Sequence, residues 1–523
     1  MAKPCDPPNG ALDIGSRLEL FIDEGLIDRL NGAERRLHHP VPQEVALVFD
    51  RPWEGNHTGG MSVLRADDGL YRLYYKAGRH GLPEYRGNPA VDVDTSKSFG
   101  CYAESRDGIT WTRPSLGLFE VAGTRDNNVI MTPEVGANCA GDFSPFEDTR
   151  PGVPPDERYK GISGMTGKVS AFASPDGINW RKLVDEPVIE GYDSQHMAFW
   201  DSERGEYRSY CRHRRIAAYQ AGMDELGDAP LETDDQTGLT KDGLDNGRDI
   251  ITSTSNDFVH WTEPEFLSYS PGRVNELYEN SIQPYPRAPH LILGFPMRYI
   301  DRGWTAAVEA LPELEHRRER AAQFSPREGT ALTDAMLMCS RDRRHFSMWP
   351  ESFIRPGLRP KDNWTYWDNF VLIGMLETAS PIDGAPDELS MYVTEAFLRS
   401  GPSQLRRYTL RVDGFVSVCA PLYGGEMLTR PLVFSGSELA MNYSTSAAGS
   451  VQVELQDAQG VPLPGFALDD SEVMYGDSLE QPMLWKGNPD LGKWAGTPVR
   501  LRFVLKDADL FSLRFRSPAE ETA

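Results

Sequence analysis

The sequence predicts an all-β chain: a five-bladed β-propeller followed by a C-terminal β-sandwich. Three observations lead there. A turn motif recurs along the first two-thirds, short strand-like segments precede each copy, and longer alternating strands take over after about residue 400. The motif is Ser, any residue, Asp, Gly, an apolar residue, any residue, Trp. It reads SRDGITW at 105–111 and SPDGINW at 174–180, with a weaker copy, SNDFVHW, at 255–261 and a decayed one, SRDRRHF, at 340–346. Asp-Gly marks a turn, because Gly takes positive φ and Asp bonds its own backbone. The expected unit is therefore a hairpin whose Trp returns on the outer strand and packs on the sheet face.

Each copy follows an apolar segment: FGCYAE, VSAFA, IITST or AMLMC. Ahead of these stand second-strand segments, GLYRLYYK, ERYKGISGM, GEYRSYCR, HLILGFPMR and ELSMYVTE. Before each of those lies a short inner strand, at 61–65, 142–146, 197–200, 281–285 and 370–375. Runs of this kind read as strands. The count is five units, and a radial arrangement buries both faces of each. The units are expected at 50–133, 134–190, 191–268, 269–356 and 357–400. Residues 1–49 are expected to flank or close the ring, with 18–26 (LELFIDEGL) as the strand that does so. Residues 50–400 form the propeller and 401–523 the sandwich, whose segments RYTLRVDGFVSV, RPLVFSG, ELAMNYS, SVQVELQD, PVRLRFVLKD and LFSLRFR alternate. The one helical stretch of note is 303–323.

Composition narrows the function classes. The 523 residues are 39% hydrophobic, with 11 Trp, 48 Gly and 39 Pro, which suits a folded, turn-rich chain. A formal net charge of −24 argues against nucleic acid as a partner, since phosphate binding needs a basic footprint. Six dispersed cysteines form no CxxC pair and no zinc or disulfide framework. The start lacks the basic and apolar regions of a signal peptide, and no run of about 18 apolar residues exists. Cytoplasmic residence without membrane contact is the expectation. No P-loop, GxSxG or HExxH motif is present. No cofactor is expected. Residues 214–249 are acidic and Gly-rich but lack the spacing of a calcium loop; a lid and a subunit contact are the other readings of this insertion, and a homo-oligomer is left open.

These features resemble the glycoside hydrolase superfamily of families 32, 43 and 68, and more closely bacterial family-32-like proteins. The segments carrying the resemblance are LFIDEGLI at 20–27, WEGNHTGGMSVLRADDGLYRLYY, AAGSVQVELQDAQGVPLPGF and RLRFVLKDADLFSLRF. It spans nearly the whole chain and implies a carbohydrate-active propeller. The chain departs from the family where its nucleophile motif, WMNDPNG-like, would stand: here the sequence is NHTGGMSV, with no carboxylate. RDP and EC motifs are also missing, so the family's catalytic set does not transfer by motif.

Candidate chemistry is sought at the residues preceding the five inner strands. These are Glu54, Asn56 and His57; Asp142, with Asp148 beyond; Asp193, Gln195 and His196; Glu276, Tyr278, Glu279 and Asn280; and Trp364, Tyr366, Trp367 and Asp368. Glycoside hydrolysis uses two carboxyl groups, one donating a proton and the other attacking carbon or activating water. Asp193 or Glu279 is the expected acid, and Asp142 or Asp368 the nucleophile or base. Asp23 joins them if its strand lines the funnel. Arg79 and His80, Arg212, His213 and Arg214, and Arg298 stand at second-strand ends, suited to an anionic sugar or to pairing with the site's own acids. The function expected is exo-acting hydrolysis or transglycosylation of a short oligosaccharide. The alternatives are a non-catalytic carbohydrate-binding propeller and a lyase or isomerase using His57, His196 or Tyr278.

Overall fold

The computed structural model describes residues 10–78, 98–136, 142–165, 168–189, 195–215, 247–272, 275–358 and 363–517. The chain is almost entirely β and divides into two compact units. One comprises Met1–His39, Ser380–Leu389 and Leu410–Ala523, the other Pro40–Ala379 and Ser390–Thr409. No described helix is long and apolar enough to cross a membrane.

In the larger unit the strands form five main sheets in chain order. The first runs Gly59–Arg65, Tyr71–Ala77, Phe99–Ser105, Val129–Met131. The second is Ser144–Glu147, Tyr159–Met165, Lys168–Ser174, Arg181–Lys182, and the third His196–Asp201, Glu206–Arg215, Gly247–Ser255, Glu265–Phe266. The fourth orders Gln283–Tyr285, Ala288–Gly294, Met338–Ser340, His345–Met348 and, parallel to the last, Ser268–Ser270. The fifth orders Phe370–Val371, Glu388–Glu395, Gln404–Arg411 and Val41–Val48. Val41–Val48 thus supplies the outer strand of the fifth sheet. The segment expected in that role, 18–26, instead pairs at Glu19–Leu20 with Val499–Arg516 in the other unit.

Named contacts join each sheet to the next. Tyr74 of the first donates to Gly177 O of the second (3.1 Å), and Tyr207 of the third donates to Asp148 of the second (2.5 Å). Tyr210 of the third donates to Arg343 O of the fourth (2.9 Å), and Ser281, ahead of the fourth, to Val371 O of the fifth (2.6 Å). Tyr392 of the fifth donates to Gly108 O of the first, and Val63 N bonds Ile373 O at 2.7 Å.

The recurrent motif adopts one geometry in all four copies. The Ser hydroxyl accepts from the backbone N–H three residues on, at 2.8–2.9 Å in each copy. The Asp carboxylate accepts from the next two N–H groups in turn, at 2.7–2.9 Å. Against the upward push of burial, those donors hold Asp107, Asp176, Asp257 and Asp342 below the ordinary carboxylate range. The fourth position is left-handed throughout, with φ of 71° at Gly108, 75° at Gly177, 68° at Phe258 and 75° at Arg343. The side-chain bonds make glycine dispensable there. The Trp does not return directly on the outer strand in the first sheet: Trp111 precedes Thr112, which bridges to Glu104, and the outer strand begins at Val129.

The smaller unit holds a ten-stranded sheet. Its long strands Glu438–Asp457 and Val499–Arg516 pair along their length, with a register break between Thr445 and Ser450. Leu12–Gly15, Glu19–Leu20, Ile27–Asn31 and Glu34–Leu37 all join this sheet. Alternation along Val451, Val453 and Leu455 and along Leu501, Phe503 and Leu505 builds its core, in which Phe434 and Phe515 stack at 3.8 Å. Burying a side chain of this size stabilises by about 1.5–3 kcal/mol. The four described cysteines are buried.

Candidate active site

A cluster of aromatic and charged side chains forms ahead of the inner strands of the larger unit. Glu279 is at its centre. Trp367 donates its indole N–H to Glu279 Oε1 at 3.0 Å, and Arg212 approaches the same oxygen at 3.7 Å. Both partners of that ion pair are fully buried. Arg212 also lies over the Tyr278 ring, 4.2 Å from its centroid. Tyr278 and Tyr366 are hydrogen-bonded through their hydroxyls. Beyond Trp367, Phe397 lies tilted at 4.3 Å and in turn meets His57 at 5.1 Å. The first, third, fourth and fifth sheets, or the loops leading into them, therefore contribute to one connected cluster.

The loop 363–369 is built around Asp368. Its Oδ2 accepts from Thr365 N (3.0 Å) and Thr365 Oγ1 (2.8 Å), and its Oδ1 from Phe397 N (2.8 Å). Those bonds fix Trp367 (φ 70°) and Asn369 (φ 67°) in left-handed conformations that ordinary side chains rarely adopt. Burial pushes the Asp368 carboxyl up to about 8, although Arg399 and the N–H donors oppose the shift. Close approach also matters: a Cβ at Gly59 would lie 2.2 Å from Trp367 Cζ3.

The other expected residues divide sharply. Asp142 is gripped by Lys76, whose Nζ is 3.2 Å from both oxygens. Glu276 pairs with buried Arg248 at 2.7 Å, and Arg248 also spans Tyr278 and Tyr299. Gln195 and His196 are buried at the head of the third inner strand, where Gln195 O accepts from Arg212 N (3.3 Å). The Gln195 side-chain amide has no hydrogen-bond partner among the described residues. Glu54 is committed to Arg113 (2.7 Å) and Tyr75 (2.5 Å), and Asp148 to Lys160 (2.6 Å) and Tyr207; both join strands. Asp193, Arg79 and His80 lie outside the described residues.

Two expectations are corrected. Asp23 is in the smaller unit, where its Oδ1 caps a turn by accepting from Gly25 N (2.9 Å); its segment joins that unit's sheet, so the condition for a funnel position is not met. Arg298 does not face the cluster. It pairs with Asp334 (2.9 Å) on the opposite side of a hairpin, Met297–Asp301 with Ala331–Ala335, whose other side carries Tyr299 inward. Trp364 also stands apart from Tyr366 and Trp367, with its indole N–H on Gly357 O (3.0 Å). The expected helical stretch forms as Ala306–Glu309 and Leu314–Gln323, followed by Arg327–Thr330. His316 bonds Leu398 O (2.9 Å), and Arg327 lies over Tyr366, so the insertion walls the cluster.

Sequence reasoning missed Arg248, Tyr299, Arg327, Phe397 and Arg399. Tyr299 was accessible: Met297 and Tyr299 alternate with Arg298 and Ile300, and the apolar pair had to face inward. The described residues hold no group of three metal-ligating side chains.

No family model matches the chain, and no curated protein matches it. Solved structures do. The chain is similar to the RS223 β-xylosidase, at 14% identity over 72% of this chain and 98% of that one, with a TM-score of 0.40. An N-acetylgalactosamine deacetylase from F. plautii, in complex with blood group B trisaccharide, gives 12% identity, 73% and 95% coverage and a TM-score of 0.38. Fructofuranosidase from Schwanniomyces occidentalis, complexed with fructose, gives 10%, 91% and 97%, and 0.36. All three are named for activity on carbohydrate. At such identities and TM-scores, function has to be argued from the residues of this chain.

Proposed function

We propose that this chain is a glycoside hydrolase or transglycosylase acting on the ends of short oligosaccharides, built on a five-bladed β-propeller. Support for five blades comes from the contacts that carry each sheet to the next and the fifth back to the first. The observation that carries the function is Glu279: a buried carboxylate held by an indole N–H and a guanidinium, within an aromatic cluster fed by several sheets. Aromatic faces suit sugar rings, and an indole N–H and a guanidinium favour the ionised form, so Glu279, expected from the sequence as an acid candidate, is read here as the group that attacks carbon or activates water. Its partner carboxyl is Asp142 or Asp193. Asp368 serves as the organiser of its loop. The helical insertion narrows access and favours chain ends.

One observation favours the non-catalytic alternative. Asp142 and Glu276 are engaged by cations and Asp368 by backbone and hydroxyl donors, which disfavours each of them as the proton-donating carboxyl. The lyase or isomerase reading, which would use His57, His196 or Tyr278, has less support: the Tyr278 hydroxyl is engaged by Tyr366 and its ring is flanked by Arg212 and Arg248, while His57 packs on Phe397. A hydrolysis screen with aryl glycosides, fructosides, arabinofuranosides and uronic-acid oligosaccharides separates the readings. Release of one sugar, abolished in Glu279→Gln and in one of Asp142→Asn or Asp193→Asn with the fold intact, establishes the hydrolase. Saturable binding of a sugar without turnover establishes the binding protein instead.

A further inference from the structure

The hairpin Met297–Asp301/Ala331–Ala335 has two working faces. Its inward face delivers Tyr299 to the cluster around Glu279. Its outward face lines a separate cavity of about 480 Å³, within the range of roughly 300–1,000 Å³ typical of small-ligand clefts. Register explains the division: Arg298 stands opposite Asp334 and Ile300 opposite Leu332, so all four share the outer side. Trp364 completes an apolar wall with Ile300 and Leu332, and Arg302 and Arg355 bring two guanidiniums.

Charge distinguishes this cavity. Arg298 is neutralised by Asp334. Arg302 and Arg355 make no ion pair among the described residues, and Glu351 is the other acid at the lining. The cavity therefore carries a net positive charge in a chain whose formal charge is −24. Guanidiniums present paired donors to carboxylate or sulfate, and an indole beside them offers a face to a sugar ring. We propose that this cavity binds an anionic saccharide, through Arg302 and Arg355 to its acidic group and Trp364 to its ring. The inference rests on the cavity and not on the hydrolase reading.

The test is a ligand-observed NMR titration at low ionic strength with four probes: glucuronate, N-acetylglucosamine 6-sulfate, glucose and inorganic sulfate. A charged sugar is expected to saturate the protein, to weaken as salt rises, and to lose affinity by about tenfold or more in Arg302→Ala/Arg355→Ala. Both positions are at least partly exposed, so the fold should be kept; a Trp364→Phe variant keeps a ring and should weaken binding less. Glucuronate alone, or the sulfate ester alone, identifies the acidic group. Equal binding of glucose, binding of inorganic sulfate as tight as that of either sugar, binding unchanged in the double variant, or no binding of any charged sugar up to tens of millimolar overturns the proposal. Failure of every glycoside substrate to turn over leaves this titration unaffected, so the two readings fail separately.

Discussion

Replacing Asp368 by Asn should flatten the pH dependence of stability. In the folded chain its carboxyl titrates at about 8, against an ordinary value of 3.8. Between those values the folded state holds a proton that the unfolded chain has released. Raising the pH through this window therefore destabilises the fold by about 1.4 kcal/mol per unit. The loss is about 3 kcal/mol from pH 5 to pH 7. The contribution is fully favourable below the unfolded value and is lost by the time the pH passes 8. An amide does not titrate, so Asp368→Asn should show none of this slope. Its carbonyl still accepts from Phe397 N and its NH₂ donates to Thr365 Oγ1, but Thr365 N loses its acceptor, at a cost of about 1–2 kcal/mol. The two curves should thus cross near pH 5, and the variant should be the more stable protein at pH 7 and pH 8. Urea unfolding at pH 5, 6, 7 and 8 measures both curves. Parallel curves would refute the reasoning: Asp368 would then be ionised throughout, with Arg399 offsetting its burial, and it would return as a candidate nucleophile.

Two further outcomes follow from individual contacts. Asp201→Ala strips the bidentate partner from Arg343, whose side chain is 3% exposed; a loss of about 3–5 kcal/mol is expected in thermal or urea unfolding. Adding Arg343→Gly should restore at least half of it, because φ of 75° suits glycine and the stranded guanidinium is gone. Gly59→Ala should push Trp367 off Glu279, cutting sugar binding or turnover by about tenfold or more while overpacking costs only about 1–3 kcal/mol; unchanged activity would show that the indole N–H is not needed.

Local pattern carried much of the architecture. Alternation located the inner strands to within a few residues, as at Phe370–Val371 and His196–Asp201, because each strand buries one or both faces. The Ser-x-Asp turns were legible for the same reason: all their bonds are made within five residues. Pairing between distant segments was not. Nothing in LELFIDEGL tells that Glu19–Leu20 will meet Leu513 and Ser512, nor that Val41–Val48 will meet Gln404–Arg411, since several edges could accept either strand. The candidate site was half legible. Carboxylates and aromatics ahead of the strands could be named, but whether an arginine faces Glu279 or Asp334 is decided by one residue of register, as Arg212 and Arg298 show.

The four Ser-x-Asp turns have a consequence for how such a chain can change. Because Ser and Asp hold the backbone, the fourth residue is released from being glycine, and two copies have used that licence. Phe258 now packs on Phe146 and Tyr207, and Arg343 reaches across to Asp201. Repeats that began alike have acquired individual signatures at one position, each matched to a particular neighbour. Such signatures make neighbours specific: beside any sheet lacking Asp201, Arg343 would be buried without its carboxylate, at a cost. Drift within a repeat, usually read as decay, here ties a sheet to one particular neighbour.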